Sequence, residues 1–307
     1  MKNYSKIIDT LSQNKILYKI DESLSKHTSI KIGGKAKIFV EVKAEKELVF
    51  LLKYLSLIDT KYHILGNGTN TLACDDDFEE VVICTKALKW YKVSGDTSKN
   101  LFSIYIQSGM GLFELNKKLR TLGLGGLEFS YGIPGSVGGA VCMNAGAYGK
   151  CIGDFVEYVK IFDGEKVLKI SRKNMLFSYR QSLVQNSNLV VLGVKLNLQK
   201  SDSKDIEFLQ KQYFQKRLDS QPYDKLSFGS CFKRYEGKEP ISKLIDDLGL
   251  KGYRIGDAEI SEKHAGFIIN IGSATCQDVR LLIKYIQGKI FEHYGFVPEP
   301  EVKFLGE

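Results

Sequence analysis

Apolar residues recur along this chain at two spacings. Alternating or β-branched runs predict strands at Ile38 to Val42, Val81 to Cys84, Leu101 to Gln107 and Leu189 to Leu198. Two more, Phe155 to Phe162 and Lys166 to Ile170, flank Asp163-Gly164, a pair that readily supplies the positive φ angles of a tight hairpin turn. Helical spacing covers Glu45 to Leu57, Leu112 to Leu122, Ser203 to Leu218 and Thr275 to Tyr294, where Val279, Ile283, Ile286 and Ile290 fall on one face. Pro240 and Gly249 bracket a shorter helix. The class expected is α+β or mixed α/β, with a boundary near residue 200, where strands and glycine turns give way to helix, loop and helix.

A length of 307 residues, 43% of them apolar and 26% charged, predicts two or three folding units and excludes disordered and collagen-like chains. The net charge of +8 favours anionic partners, but the lysines are dispersed, without the block of like charge a nucleic-acid-binding arm would carry. A basic solvated surface fits best, with a phosphate-bearing small molecule or nucleic acid as the other readings. Six cysteines form no CxxC pair and four histidines no HxxxH pair, and the acidic run Asp75 to Glu80 lacks ligand spacing, so neither a disulfide framework nor a metal site is expected. The first twenty residues are broken by lysines, unlike a signal peptide, and no apolar run reaches membrane-spanning length; a soluble, cytoplasmic protein is expected.

Glycine is the unusual count. Ten of the 29 glycines lie between Gly123 and Gly153, and the rest of the chain is ordinary in this respect. A backbone so free of side chains can lie against a ligand with its N–H groups outward, as a pyrophosphate requires. A second, shorter patch is Leu65-Gly-Asn-Gly-Thr-Asn70. Neither patch has the GxxxxGK[ST] or GxGxxG arrangement, so spacing alone leaves phosphate cradling and tight structural turns equally open.

Six ordered motifs narrow the choice: ILGNGTN (64–70), GIPGSVGGAVCMNAGAYG (132–149), SYRQS (178–182), FGSCFK (228–233), ISEKHAGFIIN (260–270) and PEPEVKFLG (298–306). Together, from about His27 to Gly306, they resemble the UDP-N-acetylenolpyruvoylglucosamine reductase (MurB) family. The resemblance implies an FAD-binding fold of the vanillyl-alcohol-oxidase (PCMH) type built from two subdomains, plus a C-terminal α+β substrate domain. It implies FAD as cofactor, NADPH as reductant, and reduction of the enolpyruvyl group of a UDP-N-acetylglucosamine to UDP-N-acetylmuramate for peptidoglycan. FAD would be held by Gly66, Asn67, Gly68, Thr69 and Asn70, and by Gly132, Pro134, Gly135, Ser136, Gly138, Gly139, Ala140, Asn144 and Gly146. Residues 1–84, with 296–307 docking back, would form the first FAD subdomain, 85–200 the second, and 201–295 the substrate domain.

Reducing a C=C bond conjugated to a carboxylate needs a hydride donor, a stabiliser for the enolate and a proton source. The flavin supplies the hydride. By the resemblance Arg180 grips the substrate carboxylate with a permanently charged fork, Ser230 donates the proton, and Glu301 shares a proton with the developing enolate. Cys231, beside the serine, is expected to be a small packed residue. Tyr179, Arg217, Lys233 and Lys263 are the expected substrate contacts, with Lys263 and His264 equally readable as a surface lysine and a core histidine. The chain departs from the family pattern at Arg234-Tyr235, where asparagine-proline is usual, at Leu226 and Phe228, and at Lys303, where arginine is frequent. Only 49 residues separate Arg180 from Ser230, as in the shorter branch that lacks an inserted substrate-covering loop. Another oxidase or dehydrogenase of the same flavin fold, and a nucleotide-sugar-binding protein without catalysis, are the rival readings.

Overall fold

The computed structural model describes residues 4–96, 100–185 and 187–306. In chain order the first elements are α1 (Tyr4–Gln13), β1 (Leu17–Ser23), β2 (Lys35–Glu41), α2 (Glu45–Leu57), β3 (Tyr62–Leu65), β4 (Thr71–Ala73) and β5 (Phe78–Cys84). There follow β6 (Tyr91–Asp96), β7 (Leu101–Gln107), α3 (Leu112–Leu122), β8 (Leu124–Gly125), α4 (Val137–Cys142), β9 (Gly146–Ala147), β10 (Lys150–Cys151), β11 (Val156–Phe162), β12 (Val167–Ser171) and β13 (Val190–Lys200). The last are α5 (Ser203–Ser220), β14 (Leu226–Ser230), α6 (Ile241–Asp247), β15 (Arg254–Ile255), β16 (Ala258–Ile260), β17 (Phe267–Asn270), α7 (Cys276–Tyr294) and β18 (Lys303–Leu305).

These elements divide into two compact units, each discontinuous in sequence. The first comprises the chain up to Ile20, Ile38–Asn67 and Glu80–Gln215; the second comprises Asp21–Lys37, Gly68–Glu79 and the chain from Lys216 onward. The chain changes unit inside α5, because the N-terminal part of that helix carries a buried residue, Gln210, whose amide donates to Asn116 O in α3 at 3.1 Å.

In the first unit, β12-β11-β13-β7-β6 form one sheet, with β8 added along β13. The long central β13 is buried along most of its length, as a strand covered on both faces must be. One core gathers Ile104, Ile106, Leu115, Leu119, Val159, Val194 and Leu196 beneath α3 and α4. A second core joins Ile7 and Leu11 of α1 and Leu48, Leu51 and Leu55 of α2 to Ile38, Val40, Val81 and Ile83. Those last four belong to the sheet ordered β1-β2-β5-β3.

In the second unit the order is β14-β17-β16-β15, all antiparallel, and α7 buries Val279, Leu282, Ile283, Ile286 and Ile290 in the same core as Ile260 and Ile268. Thr275 caps α7, accepting from Asp278 N at 3.0 Å while the Asp278 carboxylate accepts from Thr275 N. The acidic run contributes here too: Asp75 accepts from Cys276 N and Gln277 N at the same helix end. The C-terminal β18 lies parallel to β4, with Lys303, Phe304 and Leu305 opposite Thr71, Leu72 and Ala73. No helix among the described residues is long and apolar enough to cross a membrane.

Candidate active site

In the first unit the long glycine segment is pressed against the end of β7 and the start of α3. Leu112 N donates to Gly135 O at 2.9 Å, Val137 N to Met110 O at 2.8 Å and Gly138 N to Ser108 O at 2.7 Å. A Cβ added at Gly138 would stand 2.8 Å from Ser108 Cβ, so this close approach needs glycine. Ser136 caps α4, its hydroxyl accepting from Gly139 N at 3.3 Å. The same hydroxyl meets the shorter patch, since a Cβ at Gly66 would lie 2.5 Å from it. Asn67 Nδ2 lies beside Gly111, which pairs with Ser136. Two glycine segments far apart in sequence therefore converge at Ser136.

The loop carrying Arg180 is tied to the same segment. Ser178 and Gln181 exchange both backbone hydrogen bonds at 3.2 Å, closing a four-residue turn with Tyr179 and Arg180 at its tip. Arg180 adopts a φ of +55°, a left-handed conformation that costs a residue other than glycine about 1–3 kcal/mol. Its Nη1 donates to Gly146 O at 3.3 Å, and its guanidinium lies 5.3 Å from the centre of the half-exposed Tyr179 ring. Asn144, an expected FAD contact, also bonds the backbone through its amide: Nδ2 donates to Ser178 O at 2.8 Å and Oδ1 accepts from Gly153 N at 3.0 Å.

The second unit carries Ser230 and Glu301 on neighbouring segments. Ser230 is exposed at the end of β14, beyond an irregularity of pairing with β17, and follows Gly229, whose φ is +87°. One residue on, Cys231 O accepts from Glu301 N at 2.7 Å, and Phe232 pairs with Pro300. Glu301 is fixed from its other side by Asn70, whose Nδ2 donates to Glu301 O at 3.1 Å and whose carbonyl accepts from Lys303 N. Asn70 thus ties the backbone of the acid's segment from both its side chain and its carbonyl. Gly68 has a φ of +65°, and a Cβ there would stand 2.1 Å from His27 O, so its glycine is demanded by the fold; Thr69 beside it is half-buried.

Burial, with the Glu301 charge as a smaller contribution, pushes the Cys231 thiol far above its usual range. It stays protonated and packs in the core, as expected for a residue that is no nucleophile. Lys233 pairs with Glu299. Lys263 donates from Nζ to Leu218 O near the end of α5, and Arg217 Nη1 donates to Gln221 Oε1 at 3.0 Å. Burial lowers the pKa of His264, whose Nδ1 accepts from Gly266 N at 3.1 Å, so it serves as a neutral structural histidine. Two departures from the family pattern have structural uses. Phe228 is a core residue, and Tyr235 packs edge-on against Phe296 while its hydroxyl accepts from Glu299 N at 2.7 Å. Leu226 is exposed opposite Asn270, and Lys303 uses its backbone in the pairing with β4.

The residues present fit a dinucleotide-like cofactor along the glycine segment. Backbone there is open at Gly111 and Gly139, and the buried Ser108 hydroxyl has no hydrogen-bond partner among the described residues, which is the kind of polar atom a bound ligand satisfies. Gly132, with a φ of +89°, and Pro134 shape the approach to it, while Ala140 is buried in α4.

Residues 36–168 match the FAD binding domain family, and residues 221–305 match the C-terminal domain of UDP-N-acetylenolpyruvoylglucosamine reductase. The chain is 44% identical over 286 residues to the UDP-N-acetylenolpyruvoylglucosamine reductase of Thermotoga maritima, covering 92% of this chain and 96% of that one. It is 39% identical over 303 residues to that of Caldanaerobacter subterraneus, covering 98% and 97%. It also superposes on the crystal structure of the Thermus caldophilus reductase (MurB) with a TM-score of 0.78 at 31% identity, over 94% of this chain and 98% of that one. The fold is therefore the vanillyl-alcohol-oxidase-type FAD-binding fold with a C-terminal α+β domain. The chain belongs to the UDP-N-acetylenolpyruvoylglucosamine reductase family, and it is an FAD-dependent oxidoreductase.

Proposed function

We propose that this chain reduces the enolpyruvyl C=C bond of UDP-N-acetyl-enolpyruvoylglucosamine to give UDP-N-acetylmuramate, with FAD as cofactor and NADPH as reductant, in peptidoglycan synthesis. The observation that carries the reading is the backbone bond from Glu301 N to Cys231 O, the residue after Ser230, in a chain of this reductase family whose other expected group, Arg180, is tied to the glycine segment. Its partners are these small molecules, with no nucleic acid and no membrane insertion, and its place is the cytoplasm, where NADPH and nucleotide sugars are held. Residues 1–84, with 296–307 returning to them, and 85–200 hold FAD, and 201–295 hold the sugar nucleotide.

When bound, the flavin would supply what no side chain can, hydride chemistry between NADPH and the alkene. As hydride arrives at the terminal carbon, the π electrons move toward the carboxylate. Arg180 grips that carboxylate with its forked guanidinium and so stabilises the enolate. Ser230 delivers its hydroxyl proton to the carbon next to the carboxylate and is reprotonated from solvent. Glu301 shares a proton with the same developing charge, and its backbone bond to Cys231 O keeps it one residue from the serine segment. Gly66, Asn67, Gly132, Pro134, Gly135, Ser136, Gly138, Gly139, Ala140 and Gly146 line FAD. Tyr179, Arg217, Lys233 and Lys263 contact the sugar nucleotide.

Ser230→Ala tests the assignment. Reduction of bound flavin by NADPH stays within about twofold of the parent, while reoxidation by the enolpyruvyl substrate slows by about 10²–10⁴. Equal loss in both half-reactions would remove Ser230 from the role of proton donor.

A further inference from the structure

The turn Ser178–Gln181 places an arginine where a glycine would ordinarily sit. Arg180 is the third residue of the turn and has a φ of +55°, which a residue with a side chain keeps only when its surroundings hold it there. Three side chains from outside the turn do the holding. Gln185 Nε2 donates to the carbonyl of Arg180 itself at 2.7 Å and also reaches Met143 Sδ at 3.1 Å. Asn144, nearly buried and itself left-handed at φ +41°, donates to Ser178 O at 2.8 Å and is anchored by Gly153 N. Ser182 Oγ, also buried, donates to Cys142 O at 2.8 Å.

We propose that Gln185, seconded by Asn144, is a positioning residue for Arg180, locking the left-handed turn that aims the guanidinium. The inference rests on the reading of Arg180 as the group that grips the substrate carboxylate. The Gln185 bond is the informative one because it is made to the Arg180 peptide. The orientation of that carbonyl is fixed by the backbone angles that carry the side chain, so losing the bond lets the turn relax toward a right-handed form. The guanidinium then leaves its contact with Gly146 O. Gln185 is not expected to touch the substrate, so its effect acts only through Arg180. A misplacement of about 1 Å at a catalytic group is enough to slow a reaction about a hundredfold.

The test is a double-mutant cycle on the FAD-loaded enzyme with Gln185→Met, which keeps the length and loses the donor, and Arg180→Ala. Gln185→Met slows reoxidation by the enolpyruvyl substrate by about ten- to a hundredfold and leaves reduction by NADPH within about twofold. Added to Arg180→Ala it has no further effect, because the residue it positions is gone. In the cofactor-free protein the same substitution speeds amide exchange at Ser178 and Gln181, whose N–H groups close the turn. Additive losses, or equal slowing of both half-reactions, would overturn the proposal by making Gln185 a general stability residue. Parent-like reoxidation by Gln185→Met beside a slow Arg180→Ala would overturn the clamp alone. Parent-like reoxidation by Arg180→Ala would overturn the arginine's role and the clamp with it. Should Gln185→Met fail to fold, Asn144→Ser, which withdraws the donor from Ser178 O, carries the same cycle with the same outcomes.

Discussion

Two glycines of this chain are bare for different reasons, and a methyl group at each separates them. At Gly68 a Cβ would collide with His27 O at 2.1 Å on a backbone with φ +65°. Gly68→Ala is therefore expected to destabilise the protein by more than about 1 kcal/mol with or without cofactor. At Gly139 the nearest atom to an added Cβ is Ser136 Oγ at 3.4 Å, and the residue sits in a short helix that alanine favours. Gly139→Ala is expected to keep its melting temperature in the cofactor-free state while binding FAD at least about tenfold more weakly, as flavin titration would measure. Unchanged FAD affinity would mean that the cofactor does not lie on Gly139. Residue-scale chemistry was partly legible in the sequence. Arg180, Ser230 and Glu301 were picked out by motif, but Gln185 and Asn144 were not recognisable as its supports. Their signal is a hydrogen bond to backbone, which residue type and spacing do not encode.

Among elements, the strongly periodic ones were the readable ones. The expected helices at Glu45–Leu57 and Leu112–Leu122 and the strand at Leu101–Gln107 coincide with α2, α3 and β7. Thr275 proved to be the cap of α7 and Pro240 the cap of α6, each one position outside the helix it was expected to begin. The strands β14 to β17 leave no periodic signal behind residue 200 because they are short and irregular, with a pairing shift between Ser227 and Ser230, and because β17 is buried throughout and shows no alternation. The hairpin after β11 was expected at Asp163-Gly164 but is a four-residue loop, with only Gly164 at positive φ. Its closure comes from the Asp163 carboxylate, which accepts from Lys166 N and Glu165 N at 2.8 and 2.9 Å, and these bonds hold its pKa below the usual carboxylate value. A lowered folded pKa means that this stabilisation is present above the unfolded value of about 3.9 and fades as pH falls through the folded one. Asp163→Ala is thus expected to lower the melting temperature near neutral pH and to converge with the parent in acid. A gap that persists unchanged in acid would assign the loop's stability to something other than the carboxylate.

At the scale of the molecule, the chain divides its chemistry between two units that are interleaved in sequence. The glycine segment and Arg180 belong to one, and Ser230, Glu301 and the C-terminal strand to the other. No pattern of hydrophobic positions could have drawn that division, since the chain passes from one unit to the other within β1, β2, β5 and α5 and again between Asn67 and Gly68. The excess of glycine, an anomaly of composition, falls in the first unit, where the segment packs against the end of β7 and the start of α3. In the proposed cycle NADPH reduces the flavin, and the enolpyruvyl sugar nucleotide, and nothing simpler, takes the electrons away. Anaerobic stopped-flow absorbance of the purified yellow protein tests this directly. NADPH should bleach the flavin band, and UDP-N-acetyl-enolpyruvoylglucosamine should restore it with formation of one UDP-N-acetylmuramate per flavin. A band that NADPH bleaches but that returns only when oxygen is admitted would contradict the account.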